Sequence, residues 1–274
     1  MADVKTKPSP VINLMDESFD SEKSTTYHLS ILSSENSFAY AILDTNTNKY
    51  IALNSSKVSN FEKIDIASSF KSVTCAIAHN KFTLIPTALF DEDNKEPLLG
   101  FNHEVKECEE IFSNTLYNLD AKNLFTVSKS FESEIKKYFV NVHFLHSSTA
   151  FIEGLLVQNK NNSGKKVFAN FHSEYLEVVI LDGRELLFSN AFKYKAPDDI
   201  AYYILFVYEQ LHLNPEEVEL VLSGEIEKTA KEHSLLYTYI RNVKFALRPD
   251  NFQFSYKFEE IPSHKFWSLF TQYL

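Results

Sequence analysis

Nine histidines, two carboxylate pairs and a scatter of serines are the residues of this chain whose types could do chemistry. His143 and His146 stand close together, and His172 lies further on. Zinc needs three or four converging ligands, and no second Cys/His pair accompanies these, so no metal site is predicted. Ser33, Ser34, Ser147 and Ser148 could join a histidine and an aspartate on paper, but the chain has no G-x-S-x-G elbow. Ser147 or Ser148 fits better as a helix cap. Asp198-Asp199 and Glu216-Glu217 each stand at a helix start or turn, where negative charge meets the helix dipole. No catalytic residue is expected.

Phosphate chemistry leaves a different mark. Backbone N–H groups cradle a phosphate where glycine lets them approach it. The chain has five glycines, Gly100, Gly154, Gly164, Gly183 and Gly224, where average usage would supply about 19. It has no G-x-G and no G-x-x-x-x-G-K. The formal charge is −10, from 27 basic and 37 acidic residues. Such a chain repels the nucleic-acid backbone, and its best basic cluster, Lys129 with Lys136 and Lys137, reads as a solvated helix face. No nucleic-acid partner is expected. Cys75 sits in an apolar run and reads as a core residue, and one further cysteine makes no disulfide framework. No apolar run nears the ~18 residues of a membrane helix, and residues 1–20 lack a signal-peptide core. A cytoplasmic protein without direct membrane insertion is predicted.

At 274 residues the chain is long enough for two domains of roughly 100–200 residues each. Residues 1–24 read as a flexible tail, with Val11–Met15 the part that could dock. Three strands follow, near Tyr27–Leu32, Phe38–Leu43 and Lys49–Leu53, then a helical stretch near Val58–Phe70 and a buried strand, Val73–Ala78. Residues 91–104 read as a surface loop. Ala121–Val127 and Asn141–Leu145 read as strands, each followed by a helix. The polar turn Asn159–Lys166 marks a boundary between lobes at 25–160 and 161–274. The second half restarts with three strands, Lys166–Phe171, Tyr175–Leu181 and Glu185–Phe192, the last two joined at Asp182-Gly183. A helix from Pro197 to about Leu213 has Tyr202 and Phe206 off its apolar stripe, free to face a partner. Strand Val218–Leu222, helix Glu225–Asn242, strand Val243–Leu247 and a helix after Pro262 complete the order. Ile42-Leu43-Asp44 and Ile180-Leu181-Asp182 end the second strand of each half, which points to duplication.

Two lobes, each a β-meander continued by β–α units, resemble the actin-like ATPase fold with its ribonuclease H-like lobes. The stretch from Val167 to Gly224, with its Asp182-Gly183-Arg184 turn and Val221-Leu222-Ser223-Gly224 strand end, resembles the second lobe of the type IV pilus assembly actin-like ATPase. From about Tyr27 the chain also resembles an uncharacterised bacterial family of unknown function. That likeness rests on Phe82-Thr83-Leu84-Ile85-Pro86, Ala88-Leu89-Phe90-Asp91, Phe101-Asn102-His103 and Leu181-Asp182-Gly183. The fold expected is therefore α/β, two ribonuclease H-like lobes of mixed sheet flanked by helices.

In the actin-like family each lobe offers a phosphate loop in its first hairpin, roughly Asp-x-Gly. Here the first hairpin runs Ser30-Ile31-Leu32-Ser33-Ser34-Glu35-Asn36, with neither Asp nor Gly. The second runs Asn170-Phe171-His172-Ser173-Glu174, with Asn170 where Asp belongs and His172 where Gly belongs. The adenosine motif keeps one glycine, in Ser223-Gly224, which also fits a plain strand-to-helix turn. The resemblance implies a vestigial nucleotide cleft at Asn170, His172, Ser223 and Gly224, weak or absent ATP binding and no bound cofactor. The expected function is a non-catalytic scaffold with an unidentified protein partner. The alternative is a nucleotide-binding protein or slow ATPase with altered loops, serving as a platform for a membrane-associated assembly.

Overall fold

The computed structural model describes residues 11–57, 61, 64 and 69–274. Most of the helix expected over Val58–Phe70 lies outside the described residues. The chain opens with β1 (Ile12–Met15), β2 (Tyr27–Ser33), β3 (Phe38–Asp44), β4 (Lys49–Ser56) and β5 (Ser72–Ile77). Strands β6 (Phe82–Pro86), β7 (Glu109–Leu116) and β8 (Ala121–Ser128) form a separate three-stranded antiparallel sheet, with the short helix α1 (Lys95–Gly100) between its first two strands. Helix α2 (Lys129–Ile135), strand β9 (Val142–His146) and helix α3 (Ser147–Gln158) follow. The second half contains β10 (Lys165–Phe171), β11 (Tyr175–Asp182), β12 (Glu185–Lys193), α4 (Pro197–Gln210), β13 (Glu219–Gly224), α5 (Lys231–Tyr239) and β14 (Val243–Phe245). Strand β15 (Gln253–Phe254) and helix α6 (Trp267–Phe270) end it.

The two halves repeat one topology. The first large sheet runs β4-β3-β2-β5-β9, with β1 beyond β4. The second runs β12-β11-β10-β13-β14. Each is an antiparallel meander whose first strand then pairs in parallel with a later one. Asp44 pairs with Tyr27 and Asp182 with Lys165, so both aspartates close the second strand against the start of the first. The register slips at Ile42/Leu43 in one half and at Ile180/Leu181 in the other. The shared tripeptide thus marks the same bulge and turn twice.

The compact units do not divide at residue 160. One comprises Leu155–Arg248 with Ile261–Trp267. The other comprises the described residues up to Gly154, together with Pro249–Glu260 and Ser268–Leu274. Aromatic packing explains the return. Strand β15 pairs with β4 at Lys49 and Tyr50. The buried Tyr50 ring lies 5.2 Å from Phe252, 5.4 Å from Phe254 and 4.9 Å from Phe270, and its hydroxyl donates to Phe270 O at 2.7 Å.

Nor are residues 11–24 a loose tail. Strand β1 pairs antiparallel with β4 from Ile12↔Ser55 to Met15↔Ala52. Its period is only four residues long, too short to stand out in the sequence. Beyond it the buried Asp16 carboxylate accepts from Ser18 N at 2.9 Å, Ser18 Oγ at 2.7 Å and Lys49 Nζ at 2.9 Å. Hydrogen bonds from Ser255, Ser18 and Lys49 hold this carboxyl well below the usual range, against the burial that raises it. Asp16→Ala should cost about 2–3 kcal/mol, since charge-assisted bonds are lost at a buried position. Urea unfolding with an unchanged midpoint would show that the segment does not anchor.

Other elements differ in extent. The expected loop at 91–104 contains α1, which buries Leu99. Strand β7 has no counterpart in the sequence expectation. Helix α5 starts at Lys231 rather than Glu225, and α6 is a single turn. No helix among the described residues is long and apolar enough to cross a membrane.

Candidate functional site

The site begins where β10 and β13 run in parallel, with Asn170 beside Ser223 and Phe171 beside Gly224. It lies within the Leu155–Arg248 unit. The β10–β11 hairpin closes with His172 N donating to Tyr175 O at 3.0 Å. The His172 ring stacks on Tyr175 at 4.1 Å, 10° from parallel, and the Tyr194 hydroxyl donates to His172 O. Asn170, His172, Ser223 and Gly224 are therefore brought together.

A directed chain of hydrogen bonds runs through them. Ser223 Oγ donates to Asn170 Oδ1 at 3.2 Å. Asn170 Nδ2 donates to His172 Nε2 at 3.1 Å and to Glu177 Oε2 at 3.5 Å. That assignment makes His172 Nε2 an acceptor and puts the ring proton on Nδ1. Glu177 Oε2 stands 3.7 Å from His172 Nε2. Glu177 is fully buried, and its Oε1 has no hydrogen-bond partner among the described residues. This carboxylate is absent from the sequence expectation. Its signal was a lone charge in the apolar run Tyr175-Leu176-Glu177-Val178-Val179-Ile180.

Gly224 has φ +84°, and its N–H donates to His264 O at 2.9 Å. A Cβ there would stand 2.2 Å from Phe171 O. The next N–H, of Glu225, donates to Phe171 O at 2.8 Å. The Asn170 and Ser223 side-chain donors and the N–H groups of His172, Gly224 and Glu225 are thus engaged inside the protein, and the Glu177 carboxylate lies among them. Tyr194 closes one flank, its hydroxyl held above the usual range by burial and by Glu225, Glu232 and Glu174. In the other half, the hairpin after β2 is closed by Ser34 and Ser37. Ser34 N donates to Ser37 O at 2.8 Å, and Ser37 N donates back to Ser34 Oγ at 3.0 Å.

The remaining candidates resolve into structure. Ser148 Oγ stands 2.6 Å from His146 Nδ1, but both residues are fully buried. His146 Nε2 is engaged by His79 O at 3.0 Å, and Ser148 Oγ also accepts from Asn123 Nδ2 at 2.8 Å. The network ties α3 to β8 and β9. No group of three metal-capable side chains is present among the described residues. Asp199 accepts from Lys195 N and Ala196 N at 2.8 and 3.0 Å, capping α4. Cys75 is buried, and burial pushes its thiol up.

Among solved structures, one from Bacteroides thetaiotaomicron, a protein with actin-like ATPase fold and unknown function, is 27% identical with a TM-score of 0.76. The match covers 83% of this chain and 93% of that one. The PilM-PilN type IV pilus biogenesis complex is 11% identical with a TM-score of 0.58, covering 89% and 97%. No curated protein matches. These likenesses fit the twice-repeated sheet order, and the fold is that of the actin-like ATPases. Residues 16–243 match the model of one family, and the chain belongs to it: the family described as protein of unknown function (DUF3822).

Proposed function

We propose that this protein is a non-catalytic, two-lobed interaction scaffold in which the former phosphate loops serve only structure. One observation carries the reading: Asn170 Nδ2, Ser223 Oγ and the N–H groups of His172, Gly224 and Glu225 all donate to protein acceptors beside the buried Glu177. A nucleotide tail needs free donors and a cation there. This arrangement offers it a carboxylate and occupied amides.

Exposed aromatics support the interaction part. Tyr202 is 62% and Phe206 41% exposed, with rings stacked at 6.0 Å. Tyr203 continues the row onto Phe192 of β12 at 4.8 Å, and β12 is an edge strand. A solvent-facing aromatic row beside an open sheet edge is the composition of a protein-binding surface. The solved PilM-PilN complex sets a two-lobed protein of this fold in an assembly, which suits a platform role here.

Thermal unfolding with 1 mM Mg-ATP tests the proposal. Binding at a hundredfold excess over Kd would add about 2.7 kcal/mol, roughly 5–10 °C for domains of this size. We expect a shift below about 1 °C, since an isolated adenosine contact holds only about 4 kcal/mol, near-millimolar affinity. A shift of several degrees would replace the scaffold with the nucleotide-binding alternative.

A further inference from the structure

The charge of this chain is not spread evenly. The unit formed by Leu155–Arg248 and Ile261–Trp267 carries 13 acidic residues against 12 basic ones. The excess falls on the other unit, and residues 91–110 alone hold eight acidic residues against two lysines. This stretch lies between β6 and β7 and contains α1. Lys95 is already paired with Glu92 at 2.6 Å.

Within this acidic surround lies an open groove of about 460 Å³. Ile85 of β6 and Pro97, Leu98 and Phe101 from α1 and its end supply its apolar lining, with Asn94 and Asn102 also on its wall. Leu99 of α1 is buried with Ile85 and Leu124, and Leu98 packs against the same cluster, so the helix beside the groove is anchored. Phe101 is 89% exposed. The Asn94 Nδ2 donates to Asp91 Oδ2 at 2.5 Å and the Asn102 Nδ2 to Thr83 Oγ1 at 3.4 Å. Each carboxamide thus engages its Nδ2 with a neighbouring side chain, and neither Oδ1 accepts a hydrogen bond among the described residues.

We propose that this groove docks a cationic segment of a partner protein, seated by an apolar side chain against Phe101 and Leu98 and flanked by lysines or arginines. The charge argument selects the occupant. Carboxylates and carboxamide oxygens around the apolar strip are all acceptors, and they match a donor-rich, positive chain. An acidic peptide would be repelled, and a second copy of this chain would bring the same excess of negative charge to the same place. The strings Phe82-Thr83-Leu84-Ile85-Pro86 and Phe101-Asn102-His103, which carry no chemistry of their own, supply Thr83, Ile85, Phe101 and Asn102 to the lining of this groove. The inference does not depend on the state of the nucleotide cleft.

The test uses the full chain and three short dye-labelled synthetic peptides read by fluorescence anisotropy: a Lys/Leu peptide, its Lys/Ser counterpart and its Glu/Leu counterpart. The Lys/Leu peptide is expected to bind, and Phe101→Ala to weaken it at least about tenfold, equivalent to about 1.4 kcal/mol. Phe101 is too exposed for that change to disturb folding. The Lys/Ser peptide is expected to bind more weakly and to be indifferent to Phe101→Ala, and added salt should weaken both. Absence of Lys/Leu binding would overturn the proposal, as would binding that Phe101→Ala leaves unchanged or equal binding of the Glu/Leu peptide. Light scattering on the protein alone supplies the remaining arm: a dimer that Phe101→Ala dissociates would make a second copy the occupant and also overturn it. A Mg-ATP thermal shift would refute the scaffold reading while leaving these outcomes untouched.

Discussion

Gly224→Ala should destabilise the protein by more than about 4 kcal/mol and remove most of the soluble yield. The added methyl would stand 2.2 Å from Phe171 O, 2.7 Å from Asn170 Oδ1 and 2.8 Å from Phe171 N. Two of those atoms are backbone of the neighbouring parallel strand, so the ladder itself would have to move. The residue also sits at φ +84°, where an L side chain costs about 1–2 kcal/mol more. Moving it breaks the bonds from Gly224 N to His264 O and from Glu225 N to Phe171 O. Gly100→Ala is the matched control: nothing lies within 4 Å of its Cβ, and its stability should change by under about 1 kcal/mol. Comparable urea midpoints for the two variants would contradict this account. A nucleotide-binding assay on a Gly224 variant would therefore report unfolding rather than a lost ligand contact.

Acid should weaken the fold well before the carboxylates titrate. His28 is buried, with Nδ1 2.7 Å from Ser72 Oγ and Nε2 3.1 Å from Thr74 Oγ1. Thr74 Oγ1 gives its proton to Gln272 Oε1, so it accepts from His28 Nε2–H. Burial, with a smaller contribution from Lys71, lowers the pKa from 6.5 to about 4. In this window the unfolded chain binds a proton that the folded chain refuses, so stability is full above the unfolded value and falls as pH drops toward 4. The loss is about 3 kcal/mol from this residue. Burial also lowers the pKa of His79 and of His264, so both act in the same direction. Below about pH 4 protonation of Asp16 adds to the loss. Urea midpoints at pH 7 and pH 4.5 should differ accordingly, and His28→Gln should flatten the slope. A stability independent of pH over this range would sink the assignment of a buried neutral ring.

The repeated meander was legible because its signals are local. Asp44-Thr45-Asn46-Thr47 and Asp182-Gly183 are turn formers between apolar runs, and both turns fall where expected. What escaped is held by partners far along the chain. Strand β7 opens on Glu109-Glu110 and carries Asn114, a poor strand residue until its partners are known: its carboxamide bonds Phe144 O, His146 N and Thr149 Oγ1. Helix α5 begins late because the turn at Gly224 is fixed by His264, forty residues on. The cluster at Asn170 was found from its four named residues. Glu177 is not legible there because a lone acidic residue in an apolar strand is costly to bury until its partners Asn170 and His172 are known.

The return of the C-terminus has a consequence for synthesis. Tyr50 waits for Phe252, Phe254 and Phe270, and Ile31 O receives Gln272 Nε2 at 2.9 Å from 241 positions away. Strand β4 gains part of its outer edge from β15 as well as from β1. The unit that leaves the ribosome first is therefore the one completed last, and its non-local closure must await synthesis of the segment from Phe252 to Gln272. A nascent chain ending at Arg248 would hold a finished second meander and a first one with its central tyrosine still uncovered.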